Sequence, residues 1–272
     1  MAFVYPGQGV QNPGMGADFY KESKEAEQIY NEAESILDFD IKKVCFEEND
    51  LINNTEYTQA ALVTTYLAIT GEVIKREIFP DVTAGLSLGE YGAVCVAGGM
   101  NEKEAISLVR KRGIYMNNAV PEGFGGMTAV LGLNKEDIDN VLREKDGVSV
   151  ANYNCPGQIV ITGSVEAIES SVPDLKKLGA RCVKLKVRGP FHSPYLKEAG
   201  EKLGRDLEKV TFNNLSIPYV SNVTGEYVDD IKYTKELLKQ QVYSPVKWEQ
   251  SVRCLIENGV DTFVEIGPGR TI

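Results

Sequence analysis

Short apolar runs of four or five residues alternate along this chain with longer stretches in which apolar positions recur every three or four residues. The short runs cover residues 2–5, 82–86, 217–221 and 262–266 and read as strands. The longer ones cover 23–37, 55–78, 101–119 and 194–209 and read as helices. Strands that alternate with helices predict an α/β fold with a parallel sheet. Asn101 followed by Glu104 adds a capping signal to the third helix. Each strand runs straight into a polar or glycine-rich turn: Pro6-Gly7-Gln8-Gly9, Ser87-Leu88-Gly89, Asn222-Val223-Thr224-Gly225 and Gly267-Pro268-Gly269. Open α/β sheets bind ligands beyond the carboxyl ends of their strands, so four such turns at one edge locate a site.

Residues 126–187 follow another pattern. An apolar run over 127–133 precedes a helix opened by Asn134, with Glu136 and Asp137 in its first turn. A strand over 148–152, a Pro156-Gly157 turn, a strand over 158–163, a helix over 165–178 and a strand over 181–187 complete β-α-β-β-α-β. That order predicts a ferredoxin-like small subdomain inserted into a larger domain made of 1–125 and 188–272.

Size and charge narrow the classes. With 272 residues, 43% of them hydrophobic, the chain can bury a sizeable core. Its net charge of -10 argues against general nucleic-acid binding, which needs cations against phosphates. The five cysteines are scattered, with neither a Cys-x-x-Cys pair nor zinc-ligand spacing, so a reducing cytoplasm without a disulfide framework is the expectation. The N-terminus enters an apolar strand at once and carries no secretory signal. No apolar run is long enough to span a bilayer, so no membrane association is expected. The sequence stops soon after Gly267-Pro268-Gly269, at the edge expected to hold the site, which suggests a further C-terminal segment.

The candidate chemistry begins at Gly85-Leu86-Ser87-Leu88-Gly89, which follows a strand and precedes an apolar helix pattern reaching Ala97. That context is the one a nucleophile elbow requires. The motif alone also fits a glycine-rich turn with an incidental serine. The chain holds one histidine, His192, between Gly189-Pro190 and Pro194 where the small subdomain rejoins the large one. A serine nucleophile activated by imidazole must therefore use His192; a histidine without a role is the alternative. Gly7-Gln8-Gly9 is too short for a dinucleotide fingerprint. It reads either as an ordinary turn or as a loop presenting a backbone N–H to a developing oxyanion. Arg112 lies four residues from Leu108 and from Met116, on the apolar stripe of its helix. An inward guanidinium wants a carboxylate, from a structural Asp or Glu or from a substrate. Lys184, Lys186 and Arg188 fall on one face of a strand at period two, either a solvated face or a basic stripe for phosphates or an acidic partner.

In order and spacing, Pro6-Gly7-Gln8-Gly9, Gly85-Leu86-Ser87-Leu88-Gly89-Glu90, Arg112-Gly113, Pro190-Phe191-His192-Ser193, Gln241 with Ser244-Pro245-Val246, and Glu265-Ile266-Gly267-Pro268-Gly269 resemble the malonyl-CoA:acyl carrier protein transacylases. The resemblance spans nearly the whole chain. It implies an α/β-hydrolase-like core with a ferredoxin-like insert, and a ping-pong transfer of malonyl from malonyl-CoA to the phosphopantetheine thiol of acyl carrier protein. Ser87 is the implied nucleophile and His192 its base. Gln8 and Leu88 are the implied oxyanion donors, Arg112 the partner of the malonyl carboxylate, and the Gln241 carbonyl the group that orients His192. The resemblance implies neither a metal nor another cofactor, and the expected working form is a monomer. An acidic carrier protein would suit the Lys184, Lys186, Arg188 stripe. The chain departs from the family at Leu86, where a second histidine usually precedes the nucleophile. Two other readings share Ser87 and His192: a serine thioesterase or hydrolase, and an acyltransferase of polyketide synthesis. A non-catalytic carrier-binding module is a third.

Overall fold

The computed structural model describes all 272 residues, Met1–Ile272. Nine strands form two sheets. β1 (Ala2–Tyr5), β2 (Val82–Gly85), β7 (Tyr219–Val220), β8 (Tyr227–Val228) and β9 (Phe263–Glu265) make a five-stranded sheet in the order β8-β7-β2-β1-β9. β7, β2, β1 and β9 run parallel, and only β8 at the edge is antiparallel. The four expected strands are therefore neighbours, with their following turns at one end. β3 (Gly125–Leu131), β4 (Val148–Cys155), β5 (Gln158–Ser164) and β6 (Arg181–Lys184) make an antiparallel sheet in the order β4-β5-β3-β6.

Eleven helices accompany them: α1 (Ala17–Glu22), α2 (Lys24–Ile36), α3 (Ile41–Phe46), α4 (Thr55–Lys75), α5 (Gly89–Val96), α6 (Glu102–Asn117), α7 (Lys135–Arg143), α8 (Val165–Lys177), α9 (Lys197–Leu207), α10 (Thr234–Gln241) and α11 (Trp248–Glu257). Asn101 caps α6 in a full capping box with Glu104, as the sequence predicts. α4 is buried on most of its circumference, with Gln59, Leu62, Val63 and Tyr66 all inside. A helix that is apolar nearly all round belongs in the middle of a fold, and α4 packs there against α6. The contact is close because position 113 is glycine: a Cβ there would lie 2.8 Å from the Thr55 carbonyl oxygen. The neighbouring Arg112 is thereby brought beside Gln59 of α4.

The small sheet uses both faces. Val130, Ile159 and Ile161 pack with Ile138 of α7 and Leu175 of α8 in a core of their own. Met127, Ala129 and Val160 face the other way and join the main core. One parallel bridge, Asn152 to Val246, ties β4 to the segment before α11.

Several boundaries differ from expectation. The strand expected over 217–221 is only Tyr219–Val220: Pro218 has no N–H to give a neighbour, and the chain turns back at Ser221 into β8, which the sequence pattern does not predict. The helix expected to reach 78 stops at Lys75, where Glu77 takes a left-handed conformation with φ 60°. The region 194–209 is a single 3₁₀ turn, Pro194–Leu196, followed by α9. The strand expected over 181–187 ends at Lys184, so the period-two face holds for Lys184 alone, while Lys186 and Arg188 sit on the coil beyond it.

Candidate active site

β2 ends in a sharp turn into α5, and Ser87 stands at its apex with φ 52°, a conformation costly for a residue with a Cβ. The two glycines make the turn passable. A methyl group on Gly85 would sit 1.9 Å from the Gly89 carbonyl carbon, and one on Gly89 2.1 Å from the Tyr5 carbonyl oxygen. Because the obstacles are backbone, Gly85→Ala should cost about 1–3 kcal/mol or more of stability. The loss is measured as a lower midpoint in urea. Asn222, at the end of β7, clamps the elbow from behind. Its Oδ1 accepts from the Ser87 N–H at 2.6 Å and its Nδ2 donates to the Gly85 carbonyl at 2.6 Å.

His192 meets Ser87 from the link between the small sheet and α9. Its Nε2 lies 2.7 Å from Ser87 Oγ, and its Nδ1 lies 2.8 Å from the Gln241 carbonyl oxygen. A carbonyl can only accept, so Nδ1 carries the hydrogen and Nε2 is left as acceptor for the serine hydroxyl. The imidazole is buried, which pulls its pKa down to about 4. The Arg112 charge adds to that shift, and the Gln241 and Ser244 carbonyls oppose it. At neutral pH the ring is an uncharged base.

Arg112 is 1% exposed and donates only to neutral groups. Nη1 reaches Gln59 Oε1 at 2.8 Å, and Nη2 reaches Gln241 Oε1 at 2.9 Å and Ser87 Oγ at 3.2 Å. Its Nε is buried without a partner, and its guanidinium carbon lies 5.2 Å from the centre of the Tyr91 ring. The sequence leaves open a structural carboxylate as its partner; none of its bonds goes to one.

Behind these groups lies Glu90, fully buried in the first turn of α5. Its Oε2 accepts from Gln241 Nε2 at 2.5 Å and from the Asn222 N–H at 3.3 Å, while Oε1 has no partner. Burial raises its pKa to about 7 against the pull of these donors, of Ser221 and of the Arg112 charge. Gln241 Nε2 also donates to the Ser87 carbonyl at 2.8 Å. Sequence reasoning assigned no role to Glu90, Asn222 or Gln59. An acid in the first turn of a helix reads as a dipole complement, and an asparagine opening a turn reads as a turn residue.

These residues open on a cleft of about 1170 Å³ between the two sheets. Leu86, Met127, Val160 and Phe191 give it an apolar wall, and Asn152 and Asn154 add polar groups. Gln8 and Leu88 line it as well, and neither of their backbone N–H groups donates to another part of the chain. The Gln8 side chain is held by Thr55 at 3.0 Å. Lys186 reaches the rim; Lys184 and Arg188 are exposed near it. No group of three or more His, Cys, Asp or Glu side chains is placed to hold a metal ion, and no helix is long and apolar enough to cross a membrane.

A serine on a strand-to-helix elbow, paired with an imidazole at the carboxyl edge of a parallel sheet, is the arrangement that enzymes with a serine nucleophile use. The family model described as acyl transferase domain matches residues 2–271. Malonyl CoA-acyl carrier protein transacylase of Bacillus subtilis (strain 168) is 41% identical, over 100% of this chain and 88% of its own. That of Staphylococcus aureus (strain MRSA252) is 38% identical, over 100% and 89%. Among solved structures, the transacylase from Clostridium perfringens ATCC 13124 superposes with a TM-score of 0.95 at 41% identity, over 98% of this chain and 86% of that one. A malonyl-transacylase in complex with its type II PKS acyl-carrier protein gives 0.95 at 38%, over 99% and 89%. The chain belongs to the acyl transferase domain family, within its malonyl CoA-acyl carrier protein transacylases, and it is an acyltransferase.

Proposed function

We propose that this acyltransferase moves a malonyl group from malonyl-CoA to the phosphopantetheine thiol of acyl carrier protein, in fatty acid synthesis, through an ester on Ser87. The observation that carries the reading is Arg112: a buried cation 3.2 Å from Ser87 Oγ with neutral partners only. An acyl group that brings its own carboxylate completes such a site. Its Nε and Nη2 form one edge of the guanidinium, the edge that pairs bidentately with a carboxylate.

Ser87 Oγ attacks the thioester carbonyl and its proton passes to His192 Nε2. The Gln241 carbonyl holds the ring and stabilises the imidazolium that forms, the part a buried aspartate plays in hydrolases. The free N–H groups of Gln8 and Leu88 receive the oxyanion, the second at the start of α5 where the helix dipole favours negative charge. The C–S bond then breaks, the CoA thiolate takes the proton from His192, and the malonyl ester remains. In the second half the carrier's thiol gives its proton to His192 and attacks the ester, and Ser87 leaves with the proton restored. Ser87, His192 and the two N–H donors, with the carrier's own thiol as the second nucleophile, account for these steps, so the proposed mechanism calls for no metal or other cofactor.

Incubation with malonyl-CoA followed by intact-mass measurement tests this. The chain should gain one malonyl group, mapped to the peptide that carries Ser87; unchanged mass would exclude an acyl-enzyme. The solved complex with a type II PKS carrier supports a second reading in which the acceptor belongs to polyketide synthesis. Offering carriers of both kinds to the malonylated chain separates the two.

The same reading extends to architecture and setting. The order β4-β5-β3-β6 supports residues 126–187 as a ferredoxin-like subdomain. The strand-elbow-helix supports 1–125 with 188–272 as an α/β-hydrolase-like domain. A monomer is the proposed working form. Five free cysteines suit the cytoplasm. The partners are malonyl-CoA and the carrier, with no part for nucleic acid or membrane. Exposed Lys184, Lys186 and Arg188 suit an acidic carrier.

A further inference from the structure

We propose that Glu90 is a positioning residue, whose single oxygen Oε2 sets the nucleophile elbow and the histidine-orienting carbonyl in register with each other. The proposal rests on Ser87 as nucleophile, as in the proposed function. Two separate parts of the chain carry those elements. Asn222, from the end of β7, holds the elbow through the Ser87 N–H and the Gly85 carbonyl. Gln241, from the end of α10, holds His192 through its carbonyl and Arg112 through its Oε1. Glu90 Oε2 accepts from the backbone N–H of the first and the side chain of the second. It is the one atom bonded to both, alongside the direct bond from Gln241 Nε2 to the Ser87 carbonyl. No water-exposed route replaces it, since Glu90 is fully buried.

The bond pattern also says what the role requires. Both donors converge on Oε2, and Oε1 is buried without a partner. Oε2 accepts whether the carboxyl is charged or carries a proton on Oε1. Length is therefore essential and charge is not. A glutamine presents its amide oxygen at the same reach, whereas an aspartate keeps the charge but falls one methylene short of bridging both donors.

Two conservative variants divide these demands. Ser87 acylation is followed in single turnovers with malonyl-CoA and, separately, with a fluorophosphonate. In the second reaction the Ser–O–P bond forms, the P–F bond breaks and His192 takes the hydroxyl proton, with no carboxylate to be clamped. With both reagents Glu90→Gln should react within about threefold of the parent chain and Glu90→Asp about 10–100-fold more slowly, as expected when reacting groups shift by a fraction of a bond length or more. Because Gln241 also holds Arg112, the half-saturating malonyl-CoA concentration of Glu90→Asp should rise as well, whereas the fluorophosphonate arm reports the elbow and His192 without the clamp. Lost folding would lower the amount of chain that reacts rather than the rate constant of the part that does. The proposal is overturned if Glu90→Asp keeps the parent rate, or if Glu90→Gln falls with it. Should the parent chain react with the fluorophosphonate and not with malonyl-CoA, the malonyl reading fails while the fluorophosphonate arm still decides Glu90.

Discussion

A chain carrying His192→Ala is expected to form the Ser87 ester roughly 10²–10⁴-fold more slowly than the parent, the usual worth of a positioned general base. The expectation follows from a census and a geometry together. His192 is the chain's one imidazole, and it lies 2.7 Å from the hydroxyl it would deprotonate. The residue before Ser87 is Leu86, which offers nothing to take the proton. The rate should also report the ring directly. Burial and Arg112 hold the imidazole pKa down to about 4, so the base is already free above pH 5 and acylation should be flat from there to neutrality. Below about pH 4 it should fall close to tenfold per pH unit as the ring protonates. Stability moves with the same sign. An unfolded histidine protonates near 6.5, before the folded one does, so the unfolded state binds more protons between 6.5 and about 4. His192 therefore favours the fold fully above that window and progressively less as the pH drops through it. Rapid-quench time courses across pH check both claims; an acylation limb centred near 6.5 would mean the ring is neither as dry nor as close to Arg112 as its surroundings indicate.

The order of legibility in this chain has a physical cause. Ser87 and His192 were readable because each is marked by local constraint: glycines at an elbow whose backbone contacts admit no Cβ, and a solitary imidazole beside prolines. The parallel strands were readable because their apolar runs end in turns. Arg112 announced itself by standing on an apolar stripe, although the stripe could not say that its partners would be Gln59, Gln241 and Ser87. The inner polar layer was not readable at all. Glu90 and Asn222 are 132 residues apart, and Glu90 and Gln241 are 151 apart. No period or spacing in a sequence expresses a bond that exists only when α5, the end of β7 and α10 meet. The strand over 181–187 misled for the opposite reason: its alternation of apolar and basic positions continues past Lys184, while hydrogen bonding to β3 does not extend far beyond it, the last bond being from the Leu185 N–H to the Met127 carbonyl at 2.9 Å.

Arg112→Ala separates a clamp for a carboxylate from a merely structural cation. Use of malonyl-CoA, read as kcat/KM, is expected to fall about 10²–10³-fold, the equivalent of losing one buried charge-assisted pair of roughly 3–4 kcal/mol. Acetyl-CoA has no carboxylate to lose, so its slow transfer should change by about tenfold or less. That remainder comes from the bonds Arg112 makes to Ser87 Oγ and Gln241, which a variant also removes. Arg112→Lys should fall between, since an ammonium keeps the charge and gives up the two-pronged edge. One further consequence ties the clamp to the base. The Arg112 charge is among the causes that depress His192, so in Arg112→Ala the acid limb of acetyl transfer should move to higher pH. A serine hydrolase on the same elbow would show equal losses for both thioesters, because it has no use for a cation at the far end of its acyl group. Unequal losses together with the upward shift of the limb would instead assign Arg112 two linked tasks: receiving the substrate's carboxylate, and keeping the imidazole beside it uncharged until Ser87 gives up its proton.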